Sequence, residues 1–196
     1  MNETMARTIT ALRRNGFTVQ PCATRQEALA WCLGLLRQAP SISRGGSVSC
    51  EELGLFEAIA AEGLPFQDYK LPEDRKRSLL VHTYVTSSNA VTEGGELVNI
   101  DGAGNRVAAL SFGPERVLVV VGRNKLVPDR AAALERIRAV AAPRNTARLG
   151  KRTPCVKTGH CMDCTSPDRI CRVLHVTMRP PEGRIVVVLV DEDLGY

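Results

Sequence analysis

Aromatic residues are scarce in this chain of 196 residues: four Phe, three Tyr and one Trp, 4% in all. So few rings exclude a stacking platform for single-stranded nucleic acid. The 26 Lys and Arg are scattered with no long basic block, so the electrostatic footprint of a nucleic-acid binder is missing too. No apolar run approaches the roughly 18 residues that span a bilayer. The longest runs, Val117–Val121 and Ile185–Val190, have the length of strands. The opening stretch MNETMARTITALRRNG holds no apolar core and no small-residue cleavage site, so no secretory signal and a cytoplasmic location are expected. Internal repeats and low-complexity segments are absent as well.

What is present is an ordinary globular composition, 44% hydrophobic and 24% charged. The length suits a single domain over 1–196. Such a chain buries roughly 70% of its unfolded surface and needs no metal or disulfide to hold a core. A net charge of +5 suits nucleic acid, anionic lipid or a phosphorylated substrate, and the missing footprint above argues against the first.

Patterning predicts a helix over 1–15 stopped by Gly16, a short strand at Phe17–Gln20 before Pro21, and a helix from the Thr24-x-x-Glu27 capping box to about Gln38. Ile42 leads into Gly45-Gly46-Ser47. Ser49-Cys50-Glu51-Glu52 reads as a second capping box, opening a helix to Gly63. Phe66–Tyr69 and Thr83–Thr86 are strand candidates, and 73–80 is weakly helical. Gly94-Gly95 between two β-like runs predicts a hairpin. The unbroken apolar run Val117–Val121 predicts a strand buried on both faces. A helix over Pro128–Ala142 is expected to end at Pro143. Val173–Met178 and Ile185–Val190 close the series. Alternating strands and helices define an α/β fold, and the hairpin implies a mixed sheet flanked by helices.

Three loops carry candidate binding groups. Gly45, Gly46 and Ser47 sit between a strand and a capped helix, where free N–H groups suit an anion; a tight turn without ligand is the alternative. Ser87, Ser88 and Asn89 follow a strand end, as do Asn124 and Lys125; both stretches are placed to meet a ligand or simply to form a turn. The stretch Asp101-Gly102-Ala103-Gly104-Asn105-Arg106 starts like a dinucleotide fingerprint. Position 107 is Val and no helix pattern follows, which excludes a Rossmann cofactor site there. Cys50 falls in the first turn of a predicted helix, which lowers a thiol pKa; a buried apolar role is the alternative.

Of seven cysteines, Cys155, Cys161, Cys164 and Cys171 fall within 17 residues of one another, in the aperiodic stretch 150–172. In a chain without a secretory signal this reads as a metal or iron–sulfur site rather than a disulfide framework. Four thiolates suit an iron–sulfur cluster or zinc. The single CxxC pair with two lone flanking cysteines favours [4Fe–4S] over zinc, whose structural sites more often use two pairs.

The stretch from Thr86 through Val91-Thr92-Glu93-Gly94-Gly95 and Asn99-Ile100-Asp101-Gly102-Ala103-Gly104-Asn105-Arg106 to Val107 resembles the LUD-domain family, named for lactate utilisation. So do Phe112-Gly113-Pro114, Val121-Gly122-Arg123-Asn124-Lys125 and the tail from Thr153 to Cys171. The resemblance is to the stand-alone branch with a C-terminal four-cysteine motif. It implies a Rossmann-like fold of the NagB/RpiA/CoA-transferase kind with a cysteine-rich C-terminal insertion. In that group glycine-rich loops at strand ends bind phosphorylated sugars or CoA, and Gly45, Gly46 and Ser47 match the first such loop.

Two functions compete on this reading. The first is a lactate or organic-acid utilisation protein whose cysteines hold an iron–sulfur cluster, acting in electron transfer or within a redox complex. The second is an isomerase or transferase on a small anionic substrate, with Glu93 or Asp101 as general base and Arg106 or Lys125 as anion clamp, Asn105 lying in the same loop. A zinc-stabilised binding module is a third. Expected partners are a small anionic substrate, a redox protein or a second copy of the chain in a homo-oligomer, with no nucleic acid and no membrane span.

Overall fold

The computed structural model describes residues 2–69 and 75–196. Two sheets organise it. The larger is entirely parallel, in the order β1 (Thr18–Cys22), β9 (Ile185–Val190), β6 (Arg116–Gly122), β3 (Thr83–Thr86), β2 (Ile42–Arg44). Its middle strands are the two apolar runs, β6 and β9, and every residue from Val117 to Gly122 and from Ile185 to Val190 is buried. Alternation divides their side chains. Leu118, Val120, Val186, Val188 and Val190 face one core with residues of α2 (Arg25–Leu36), α3 (Val48–Glu52) and α4 (Leu55–Ala61). Val117, Val119, Val121, Ile185, Val187 and Leu189 face a second core with α1 (Glu3–Arg14) and α5 (Asn105–Ser111). A strand covered on both sides has no polar face to show, which is why the run is unbroken.

The predicted hairpin forms, but apart from the parallel sheet. β4 (Ala90–Thr92) and β5 (Leu97–Asp101) pair antiparallel. β7 (Leu126–Val127) joins β4 in parallel and β8 (Val173–Thr177) joins β5 antiparallel, making a four-stranded mixed sheet. That sheet packs Ala90, Val98 and Val127 against Ala133, Ile137 and Ala142. The α/β expectation therefore holds, with the mixed pairing confined to the second sheet.

Local departures have local causes. β1 runs through Pro21, because an edge strand tolerates a missing N–H. The cap of α3 is Ser47, accepting from the Cys50 N–H at 3.1 Å, so the Ser49-based capping box is displaced by two residues. Gly54, at φ +72°, separates α3 from α4 and breaks the single helix expected to Gly63. Phe66 makes only an isolated bridge to Ile42. The expectation at 73–80 falls partly outside the described residues; Arg75–Leu80 is a 3₁₀ helix. Pro143 does not end its helix. α6 (Arg130–Arg136) passes through a π-helical turn at Ile137–Ala141 into α7 (Ala142–Arg148), where Pro143 occupies the first turn. The wide turn takes up the residue whose missing N–H would break regular α-helical bonding. A short helix, α8 (Pro154–Thr158), opens the cysteine segment.

Candidate functional site

Parallel pairing puts the C-terminal ends of β2, β3 and β6 on one edge of the sheet, where open α/β folds bind ligands. A cleft of about 770 Å³ lies there. Its walls are the 44–49 loop and start of α3, the turn after β3, the segment joining β5 to α5, the end of α7, and Pro167–Arg172 of the cysteine segment. Eight Lys and Arg against four Asp and Glu line it, so the cleft favours anions.

Most predicted binding residues border this cleft, but several serve its construction. Gly45 lets the loop lie against its neighbours: a Cβ there would sit 2.8 Å from the Tyr84 hydroxyl and 3.2 Å from Arg106 Cγ. Gly46 and Ser47 complete the loop, but α3 has five residues, too few for a strong dipole. Ser88 Oγ donates to the Ala90 carbonyl at 2.8 Å. Asn89 Oδ1 accepts from the Ile100 N–H at 2.8 Å. Asn105 donates to the Tyr84 hydroxyl at 3.5 Å. Asn124 lies outside the cleft; it donates to the Gly195 carbonyl at 3.0 Å and accepts from the Leu194 N–H at 3.1 Å.

Of the three predicted catalytic residues, Asp101 and Arg106 border the cleft and Glu93 does not. Glu93 stands on the hairpin turn outside the cleft, where Arg7 donates to it at 2.9 Å. Asp101 lines the cleft, but its carboxylate accepts from the N–H groups of Gly102 and Arg106 at 3.0 Å each and of Val107 at 3.3 Å. It thereby caps α5, the helix the sequence reading did not expect after the glycine stretch. Arg106, 8% exposed, donates to the Ser87 and Ile100 carbonyls at 3.1 and 2.9 Å and to Asn99 and Asn89 side-chain oxygens at 2.5 and 3.1 Å. Burial lowers its pKa from the ordinary arginine value. Its donors hold the turn after β3 against β5, and its charge remains at the cleft wall.

Lys125 lines the cleft as its strand-end position suggested, but sequence reasoning did not foresee its burial against two serines. It is 4% exposed. Its Nζ donates to Ser49 Oγ at 2.6 Å and Ser87 Oγ at 3.1 Å. Burial, and next the cation of Arg136, push it down to about 7. Cys50 behaves oppositely to the dipole expectation: it is fully buried, and desolvation pushes it up to about 11, as for an inert apolar cysteine.

A second, smaller cavity brings together residues the sequence places up to 16 positions apart. Cys155, Cys161, Cys164 and Cys171 all line it, with Thr146, Thr153, Arg169 and Ile170. The Asp163 N–H donates to Cys161 Sγ at 3.4 Å, and Asp163 takes a left-handed φ of +45° within the CxxC turn. One guanidinium organises the loop: Arg169 donates to the carbonyls of Cys164 at 2.5 Å and Cys171 at 2.7 Å and to Asp163 at 2.9 Å. Burial, then the neighbouring thiols, raise Cys171 to about 11. Among the described residues, no group of three or more His, Cys, Asp or Glu is arranged to hold a metal ion. His160 points to the Thr158 carbonyl at 3.0 Å and is exposed.

Fold and cleft define a class: an α/β domain with a basic cleft at the ends of its parallel strands. Within that class the chain belongs to the LUD-domain family, whose model matches residues 5–190. A solved structure with the same fold is a DUF162 family protein from Deinococcus radiodurans, with 14% identity, 96% coverage of both chains and a TM-score of 0.60. The delta subunit of eIF2B from Chaetomium thermophilum aligns at 15% identity over 67% of this chain and 50% of its own, with a TM-score of 0.34, too low to support an argument. Among curated proteins, none matches the chain. No described helix is long and apolar enough to cross a membrane.

Proposed function

We propose that this LUD-domain protein binds a small organic anion in the basic cleft and holds an iron–sulfur cluster on Cys155, Cys161, Cys164 and Cys171, serving the oxidation of lactate or a related organic acid. One observation carries the reading. Arg169 and Ile170 line both the cleft and the four-cysteine cavity, so a single wall separates an anion from four sulfur donors. What supports the reading is donor chemistry: four thiols line one cavity, and thiolates are the ligand type of such clusters. When bound, the cluster would supply one-electron transfer. The chain's own part is to hold the CxxC turn and Cys171 together through Arg169, and to attract the anion through the cleft's excess of cations.

The reading is tested by iron, acid-labile sulfide and visible absorption on protein purified without oxygen. About four iron and four sulfide per chain, with absorption that bleaches on reduction, are expected. One zinc per chain in a colourless solution would overturn it and make the cysteine segment structural.

A further inference from the structure

The floor of the cleft holds a group of nucleophile and base that the redox reading does not use. Ser87 opens the turn after β3 and lines the cleft; at 7% exposure it is more open than Ser49, at 1%. Ser87 Oγ lies 3.1 Å from Lys125 Nζ and 3.3 Å from Ser49 Oγ, and Ser49 Oγ lies 2.6 Å from the same nitrogen. We propose that Ser87 is a nucleophile and Lys125 its general base, acting on carboxylic esters or thioesters that carry a further negative charge.

A lysine can act as base only when it is neutral near working pH, and then only if its lone pair meets the hydroxyl it activates. The surroundings supply the first condition. Lys125 faces Ser49, Cys50 and Glu52 from α3, Ser87 after β3, Arg106 from α5 and Arg136 from α6. The two arginines and burial disfavour the ammonium, Glu52 and Cys50 favour it, and the balance lies at about 7. Hydrogen-bond distance to Ser87 supplies the second. Ser49 is a positioning residue: it accepts from Lys125 and itself donates to the Leu194 carbonyl at 3.2 Å. Gly195 makes that seat possible, since a Cβ there would come within 2.6 Å of Ser49 Oγ.

The step balances without a co-reactant other than water. Ser87 Oγ attacks the acyl carbon and its proton passes to Lys125. The tetrahedral oxyanion forms in a cleft whose cations outnumber its anions, which favours the developing negative charge. The alcohol or thiol leaves with the proton from Lys125, giving an acyl-serine. Water then attacks the acyl-serine, losing a proton to Lys125. Ser87 departs as the leaving group and regains that proton, and the second product is a carboxylic acid. The excess of cations around the cleft selects the anionic ester.

The test is covalent labelling of the whole chain by a fluorophosphonate bearing a carboxylate, followed by intact mass and peptide mapping. One adduct on Ser87 is expected, forming at a rate that rises with pH to a plateau with its midpoint near 7, as set by Lys125. Ser87→Ala should be unlabelled, and Lys125→Met slower by at least about 100-fold. Ser49→Ala should move the midpoint to lower pH, because the ammonium loses an acceptor; a purely structural role would slow labelling without moving it. No adduct, an adduct on Ser49, or a rate that climbs without plateau to pH 10 would overturn the assignment. The wild-type pH profile decides the matter even if a variant fails to fold. Iron and sulfide measured on the same sample keep a failure here distinct from a failure of the cluster.

Discussion

The parallel sheet and the cysteine segment are held by different forces. In the sheet, β6 and β9 are clamped by apolar burial on both faces, and no single contact decides their place. From Cys161 to Cys171 most residues are exposed or half-buried, and the chain's path depends on turns and on the Arg169 guanidinium. Apolar packing specifies position through many weak contacts, whereas a loop of this kind depends on a few directed bonds and gains from a bound ion.

The comparison can be broken at its strong end first. Leu118→Ala, at a fully buried position, should lower unfolding free energy by about 2–5 kcal/mol in urea denaturation; a smaller loss would deny that the double-faced core dominates. Lys125 sharpens it next. Its pKa is depressed by the fold, so the unfolded chain binds more protons between about 7 and the ordinary lysine value of about 10.4. The cost of burying its charge is therefore complete below pH 7 and relieved as pH rises above it. Lys125→Met should accordingly stabilise the protein at pH 6, by on the order of a few kcal/mol. That gain should shrink toward pH 10, as read from paired melts. Asp101→Asn removes the carboxylate that caps α5 and should cost about 0.5–2 kcal/mol, seen as a lower Tm. Smallest is the double change Cys161→Ser, Cys164→Ser. It should abolish bound iron yet shift urea unfolding of the metal-free protein by no more than about 0.5 kcal/mol. Global unfolding of that variant would erase the distinction between the two regions.

The same contrast explains what could be read from residues alone. β6, β9 and the β4–β5 hairpin announce themselves because burial on two faces, or a Gly-Gly turn, writes directly into composition. The cysteines were legible as a group through their spacing. α5 was missed because it has seven residues and takes its cap from Asp101, upstream of the glycines, rather than from an adjacent Ser or Thr. Ser49, Ser87 and Lys125 were not legible as a set. They are 38 residues apart in each step and meet only because parallel strands end at one edge. Asp101 and Arg106 drew attention as charged loop residues, yet their hydrogen bonds go to the backbone and amides that shape the loop. Charge in a loop signals a polar junction without saying whether ligand or protein is its partner.

The π-helical turn before Pro143 has a geometric consequence for both cavities. One surplus residue in a helix rotates everything after it by about 100°. Asn145 and Arg148 border the cleft, while Thr146, between them, meets Cys155 Sγ at 3.3 Å. Deleting one residue within Ile137–Ala141 would restore a regular pitch and swing all three side chains to another azimuth. An indel of one codon there would re-aim two sites without altering a single residue that lines them.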